Sequence, residues 1–124
     1  MRRIPYYLPR AAVLLLLTGL FAKADEAGVT GTASWYGGHH VGRKTASGEI
    51  FTRHLRTAAH KTLPLGSVVR VVNLRNHRSV VVRINDRGPY IDGRIIDLSE
   101  RAANDLAMMR DGIAEVRLEL ISSP

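Results

Sequence analysis

Two valine-rich runs dominate the pattern of apolar and polar positions. Ser67 to Leu74 (SVVRVVNL) and Ser79 to Asn85 (SVVVRIN) are rich in β-branched residues and flank Arg75-Asn76-His77-Arg78. This predicts two strands joined as a hairpin. A two-residue Asn76-His77 turn would need left-handed backbone angles, which Asn accepts more readily than His. In Ile113 to Ile121, Val116, Leu118 and Leu120 alternate with Glu115, Arg117 and Glu119, the pattern of a strand with one buried face. Arg94 to Leu98 (RIIDL) reads as a short strand, and Gly31 to Tyr36 (GTASWY) as another that Gly37-Gly38 breaks. Ser99 is placed to cap a helix running through Met109, with Ala102, Ala103 and Leu106 facing inward and Gly112 ending it. Thr57 to Lys61 leads to Leu63-Pro64-Leu65-Gly66, a turn signal. His39 to Arg56 has no clean period and is rich in Gly, Ser, Thr, His and Arg, so it reads as a long loop of the kind that carries function. The sum is five or six short strands and one helix in mixed order, as in a small all-β or α+β barrel.

The N-terminus has a different character. Arg2, Arg3 and Arg10 form a basic stretch before an unbroken apolar run of 11 residues, Ala11 to Phe21, followed by the small-x-small triplet Ala22-Lys23-Ala24. This is the layout of a secretory signal peptide, and the run is short of the roughly 20 residues a membrane span needs. Cleavage after Ala24 gives a mature part of 100 residues, 25–124, which is one domain with one core. With no Cys anywhere, lipid attachment at a lipobox cysteine and disulfides are both excluded. The expected location is therefore the periplasm or the exterior, with no membrane anchor after cleavage.

Removing the signal changes the charge picture. Four of the 18 basic residues lie within 1–24, leaving 14 against 11 acidic ones. Basic residues are spread along the mature part, which argues against nucleic acid as a partner. A mild positive charge is compatible with an anionic polymer such as a cell-wall glycan.

Three separated loops each offer an acid or a base. Asn85-Asp86-Arg87-Gly88-Pro89-Tyr90 places a carboxyl where a valine-rich strand ends, ahead of a Gly-Pro turn. Thr45-Ala46-Ser47-Gly48-Glu49 and Thr57-Ala58-Ala59-His60-Lys61 are the other two. From spacing alone, Asp86 reads first as a turn-capping aspartate and Glu49 as a solvated loop carboxylate, and His60 has a structural histidine as its alternative. Trp35 and Tyr36 suit either sugar stacking or the core, and Tyr90 is a similar case. Asp97 reads as a helix cap before a cleft residue. His39, His40 and His54 show no ligand pattern at metal spacing, so neither metal nor cofactor is expected.

Five ordered motifs then carry a resemblance. Gly31-x-Ala33-Ser34-Trp35-Tyr36-Gly37 is followed by Thr45-Ala46-Ser47-Gly48-Glu49-x-Phe51 and Thr57-Ala58-Ala59-His60-Lys61-Thr62-Leu63-Pro64-x-Gly66. Val80-Val81-Val82-Arg83-x-Asn85-Asp86-Arg87-Gly88-Pro89 and Gly93-Arg94-Ile95-Ile96-Asp97-Leu98-Ser99 complete the set. Together, over Gly31 to about Ile121, they resemble the rare lipoprotein A (RlpA) family of septal-ring-type lytic transglycosylases. The resemblance implies a six-stranded double-psi β-barrel with one short helix. It implies non-hydrolytic cleavage of peptidoglycan glycan strands between N-acetylmuramic acid and N-acetylglucosamine, giving 1,6-anhydromuramoyl ends, on strands poor in stem peptides. The functional residues fall on Asp86, Glu49 and His60, with Trp35, Tyr36, Thr45, Ser47, Asn85, Arg87 and Tyr90 as substrate contacts. Partners beyond the glycan would be division or cell-wall proteins, and the protein is expected to be a monomer.

The chain departs from the family at several points. It has no lipobox cysteine, is expected to work without a C-terminal glycan-binding repeat domain, and has Thr52 where Asp or Asn is common. Asn76-His77 stands where Asn-Gly is usual. The competing functional class is a glycan-binding module without catalysis, since related barrels keep a similar cleft.

The chemistry asks little of the protein. Cleaving a glycoside needs a proton donor for the leaving oxygen and support for an oxocarbenium-like transition state. When the substrate's own C6 hydroxyl is the nucleophile, no water needs activation and one carboxyl can act as acid and then base. Such a group needs a raised pKa, from partial burial or a like-charged neighbour. Asp86 is the first candidate, with Glu49 as that neighbour, as the acid/base itself or as a ligand for sugar hydroxyls. His60 would donate to a sugar hydroxyl or orient a carboxylate. Pairing of Arg87 with Asp86 would push the acid the wrong way.

Overall fold

The computed structural model describes residues 28–124; the signal-peptide reading over 1–24 lies outside them. Six strands form a closed barrel: β1 (Val29–Trp35), β2 (Thr57–Ala59), β3 (Val68–Asn73), β4 (Ser79–Asp86), β5 (Arg94–Leu98) and β6 (Ala114–Ser122). Among the described residues one α-helix, α1 (Glu100–Asp105), lies between β5 and β6, and a single 3-10 turn spans Gly38–His40. Around the barrel the order is β1-β5-β2-β4-β3-β6, with β6 returning to β1. The β1–β5 and β2–β4 pairs are parallel; the other four are antiparallel. Closure leaves no unpaired strand edge, and a double-psi β-barrel results.

The interior is built from alternate residues of every strand. Ala33, Ala58, Val69, Val71, Val80, Val82, Ile84, Ile96, Leu98, Val116 and Leu118 form one buried cluster, closed by Ala102, Ala103 and Leu106 of the helical segment. Aliphatic residues at period two explain the strands; their small or branched shapes fit the narrow interior. Among the described residues no helix is long and apolar enough to cross a membrane.

The local differences from the sequence reading have physical causes. β2 is only three residues long, TAA, and is made a strand by its two neighbours rather than by propensity. Leu120 continues the alternation opposite Val69 but is 55 % exposed, because it lines an open cavity. The hairpin loop is wider than two residues: the His77 N–H donates to the Asn73 carbonyl and the Asn73 N–H to the Arg78 carbonyl. His77 alone takes the left-handed angle there, with φ 64°.

The helix is shorter than its pattern. Ser99 caps it, its hydroxyl accepting from the Ala102 N–H at 3.2 Å. It ends because Ala107 turns left-handed at φ 56°, with the Met108 N–H reaching the Ala103 carbonyl and the Ala107 N–H the Asn104 carbonyl. That is a Schellman ending with Ala where Gly is preferred. Ala107→Gly is therefore expected to raise unfolding stability by about 1 kcal/mol, read as a higher denaturant midpoint at unchanged slope.

Candidate active site

Asp86 owes its position to a bulge. Val80, Val82 and Ile84 face the interior, so strict alternation would send Asp86 inside as well. The register between β2 and β4 shifts instead: Ala58 pairs with Ile84 and Ala59 with Asp86, leaving Asn85 as the extra residue. Asn85 is buried, at 1 % exposure, and Asp86 is turned to the outer face. Bulges beside functional sites re-aim side chains in this way.

Three donors then hold the Asp86 carboxyl. The Tyr36 hydroxyl donates to Oδ2 at 3.0 Å, and the Ala46 and Arg87 N–H groups donate to Oδ1 at 3.0 and 2.9 Å. Two of these come from the 36–56 connection, of which the sequence marks 39–56 as a long loop. It is ordered by its own hydrogen bonds: Gly42 N–H to Phe51 O, Phe51 N–H to Arg43 O and Thr45 N–H to Glu49 O. Gly48 has φ 89°, an angle that suits only glycine and lets the chain reverse before Glu49. The Ser47 N–H donates to the Asn85 carbonyl at 3.0 Å and ties the loop to the bulge.

A cavity of about 200 Å³ opens beside this carboxyl, lined by Tyr36, His40, Arg43, Lys44, Thr45, Phe51 and Asp86. Tyr36 is buried, packed edge-on against Phe51 at 4.7 Å between ring centres and within 4.9 Å of the His40 ring. Burial and the Asp86 charge push its phenol pKa up, so Tyr36 is a firm hydrogen-bond donor. Thr45 is buried at the cavity wall, its hydroxyl donating to the Glu49 carbonyl at 2.8 Å and lying 3.0 Å from the Ser47 hydroxyl.

Glu49 stands one step back from Asp86, with other partners. Arg83 donates to both of its carboxylate oxygens, at 2.7 and 2.9 Å, and Asn85 Nδ2 to Oε1 at 3.0 Å. These bonds, those from Arg83 foremost, hold its pKa down at about 2. Glu49 is thus an anionic strut that orients Asn85 and Arg83, and the expectation that it raises the pKa of Asp86 finds no contact to support it. Asn85 Oδ1 is buried without a protein partner.

The strut has a pH signature. Glu49 has a lowered pKa in the folded state, so its stabilisation is whole above the ordinary value of 4.5 and is lost as pH falls toward about 2. With side chains 30 % and 43 % exposed, the pair contributes about 1 kcal/mol after solvent screening. In acid titrations of unfolding stability, Glu49→Gln is expected to start lower at pH 7 and to lose less between pH 5 and 2 than the parent.

Arg87 and His60 take places the sequence does not foretell. The Arg87 guanidinium turns away from Asp86 and donates to the carbonyls of His60 and Leu63, at 3.1 and 2.7 Å. Its backbone N–H supports Asp86 while its charge pins the neighbouring turn. His60 Nδ1 accepts from the Thr62 and Leu63 N–H groups, at 3.1 and 3.0 Å, which places its ring proton on Nε2. Burial, then Arg87 and Lys61, push its pKa down. Its ring lines a separate apolar cavity of about 300 Å³ with Val29, Thr62, Leu63, Val69, Leu118 and Leu120. Only its backbone reaches the site, its N–H donating to the Asp86 carbonyl at 3.1 Å. Trp35 packs partly buried against the core, whereas Tyr90 is 76 % exposed in the loop after Asp86.

Asp97 is the residue that sequence reasoning undervalues. Ser99 does the capping, and Asp97 is free to face outward between buried Ile96 and Leu98. The Ser34 hydroxyl donates to its Oδ1 at 3.2 Å. Its alternation with two core residues is the signal that excludes it from the interior. Among the described residues no three His, Asp or Glu side chains gather to hold a metal ion.

Comparison with known proteins agrees with this fold. Residues 28–118 match a family model described as lytic transglycolase. The chain is 59 % identical over 91 residues to the endolytic peptidoglycan transglycosylase RlpA of Pasteurella multocida, covering 73 % of this chain and 31 % of that protein. It is 54 % identical over 92 residues to the protein of that name from Neisseria meningitidis, covering 74 % and 38 %. The chain thus spans about a third of the length of these relatives. Among solved structures, the Streptomyces papain inhibitor aligns with a TM-score of 0.61 at 22 % identity, covering 78 % of this chain and 96 % of that one. An expansin from Clavibacter michiganensis aligns with a TM-score of 0.57 at 19 % identity, covering 77 % and 50 %; both likenesses speak to the fold alone. On the family match and these identities, the chain belongs to the lytic transglycolase family.

Proposed function

We propose that this domain is a lytic transglycosylase that cleaves peptidoglycan glycan strands between N-acetylmuramic acid and N-acetylglucosamine, yielding 1,6-anhydromuramoyl ends. The observation that carries this reading is the Asp86 carboxyl, fixed by three donors at the head of a cavity with a buried phenol and cationic walls. Such a carboxyl supports an oxocarbenium-like transition state, and the substrate's C6 hydroxyl supplies the nucleophile. Thr45, Ser47, Asn85 and Glu49 form the bonded frame that keeps the loop in place. Tyr90 offers an exposed ring to a sugar face, and Tyr36 acts through Asp86. Trp35 packs against the core, and His60 and Arg87 hold the turn that follows β2.

The relatives' names supply the substrate class, peptidoglycan. We further infer that residues 1–24 are a signal peptide, that 25–124 form the working domain as a monomer outside the cytoplasm, and that stem-peptide-poor strands are preferred. Purified protein incubated with glycan strands stripped of stem peptides is expected to shorten them. Retention on the strands without shortening would instead support a binding module.

A further inference from the structure

The registers of four strands place two carboxyls in one row. Ser34 on β1 pairs with Asp97 on β5, Asp97 with Ala59 on β2, and Ala59 with Asp86 on β4. Directly paired residues share a face of the sheet, so Asp97 and Asp86 both rise on the outer side, flanking the Ala59 methyl. Two strand spacings separate their Cα atoms, roughly 10 Å. Ala59 is covered by Tyr36 and Phe51, and the Tyr36 hydroxyl is bonded to Asp86 while feeling the charge of Asp97. Asp97 and Asp86 thus bracket one buried phenol.

Their surroundings differ in kind. Asp86 is aimed at by one hydroxyl and two backbone N–H groups, an environment built for an anion. Asp97 has one hydroxyl partner, Ser34, and is half-buried. The charged or titratable groups facing it are His40 of the loop, Tyr36 beyond β1, Asp86 of β4 and Arg94 of its own strand. Burial, foremost, pushes its pKa up; Ser34, His40 and Arg94 oppose and Asp86 adds. Two carboxyls whose settings differ in this way divide acid from base.

We propose that Asp97 carries the proton to the leaving glycosidic oxygen and that Asp86 is the fixed carboxylate that takes the proton of the attacking C6 hydroxyl. This rests on the transglycosylase reading and deepens it. The bond from C1 to the leaving oxygen breaks as that oxygen takes the proton of Asp97. The C6 oxygen bonds to C1, and its proton passes to Asp86. One proton then returns to Asp97 through solvent; no water is consumed and no co-reactant is needed.

Leaving-group chemistry tests this division. A muramoyl glycoside with a 2,4-dinitrophenyl leaving group needs no acid, whereas a natural glycan strand does. Asp97→Asn is expected to lose roughly a hundred- to a thousand-fold on glycan strands and to remain within about ten-fold of the parent on the dinitrophenyl substrate. Asp86→Asn is expected to fail on both. The high-pH limb of the parent's kcat/KM profile should vanish in Asp97→Asn. Equal loss on both substrates, or an Asp97→Asn protein fully active on glycan, would overturn the assignment. Carbon NMR of the carboxyls reads the pair without activity: Asp97 should titrate above an ordinary aspartate and fall in Asp86→Asn. An ordinary Asp97 midpoint overturns the pairing. A coupled Asp97 in a protein that cleaves neither substrate would refute the transglycosylase reading on its own.

Discussion

Asp86→Asn is expected to abolish glycan cleavage, by roughly ten-thousand-fold in kcat/KM, while leaving the fold and glycan retention in place. The substitution keeps size and shape and removes only the charge and the proton-accepting capacity. Both capacities are needed in the transition state, where positive charge develops at C1 and the C6 hydroxyl must lose its proton. An amide also presents an N–H₂ to one of the three donors that now converge on the carboxylate. Turned toward Tyr36, that N–H₂ meets a hydroxyl that can rotate to accept, so the local cost is small and the fold holds. A circular dichroism spectrum and melting curve near the parent's, with pull-down on insoluble glycan, separate chemistry from folding. Residual cleavage within ten-fold of the parent would remove Asp86 from the reaction.

Ile84→Ala is expected to give the largest loss of stability, about 3–4 kcal/mol, and a melting point lower by roughly 15–25 °C. Ile84 is fully buried in the core cluster of the barrel. Its backbone is clamped to the neighbouring turn, its N–H donating to Ser67 O at 2.8 Å and its carbonyl accepting from Gly66 N–H at 2.7 Å. The backbone therefore resists collapsing onto the space left by three carbons, and the cavity term adds to the lost transfer energy. Ile84 also immediately precedes the bulge that turns Asp86 outward, so the same void loosens the site's support. Ile84→Val, which removes one methyl, should cost about 1 kcal/mol, and a chemical denaturation series checks the order. Equal melting points for Ala and Val variants would show that the interior is not packed around this position.

How far the sequence carries the reader depends on whether the signal is local. The valine runs of β3 and β4, the RIIDL strand and the Ser99 cap are local patterns, and each appears where periodicity and capping put it. β2 carries no such pattern, since Thr-Ala-Ala is a strand only between β4 and β5. The barrel's closure and its two parallel pairs depend on long-range pairing, which the motif resemblance supplies and periodicity does not.

The site follows the same division. Turn chemistry and motif single out Asp86, Glu49, Thr45 and Ser47, with Tyr36 and Asn85 read at strand ends, and the fold brings these six side by side. The bulge at Asn85 is invisible in one dimension, yet it decides that Asp86 faces outward. Arg83 looks like any outward-facing strand residue until its fork meets Glu49. The Arg87 guanidinium, beside Asp86 in sequence, is carried away by the geometry of the chain to two carbonyls. His60 stands next to a motif strand, but its ring is taken up by the turn that follows. Asp97 passes for a helix cap until Ser99 is seen in that role and the strand register sets it in line with Asp86.

The most direct measurement is the mass of the products formed from peptide-free glycan strands in water enriched in ¹⁸O. Transglycosylation should give 1,6-anhydromuramoyl ends that carry no heavy oxygen, and Asp86→Asn should give none. Reducing ends labelled with ¹⁸O would show hydrolysis by an activated water, and intact strands from folded protein would show no cleavage; either result contradicts a lytic transglycosylase.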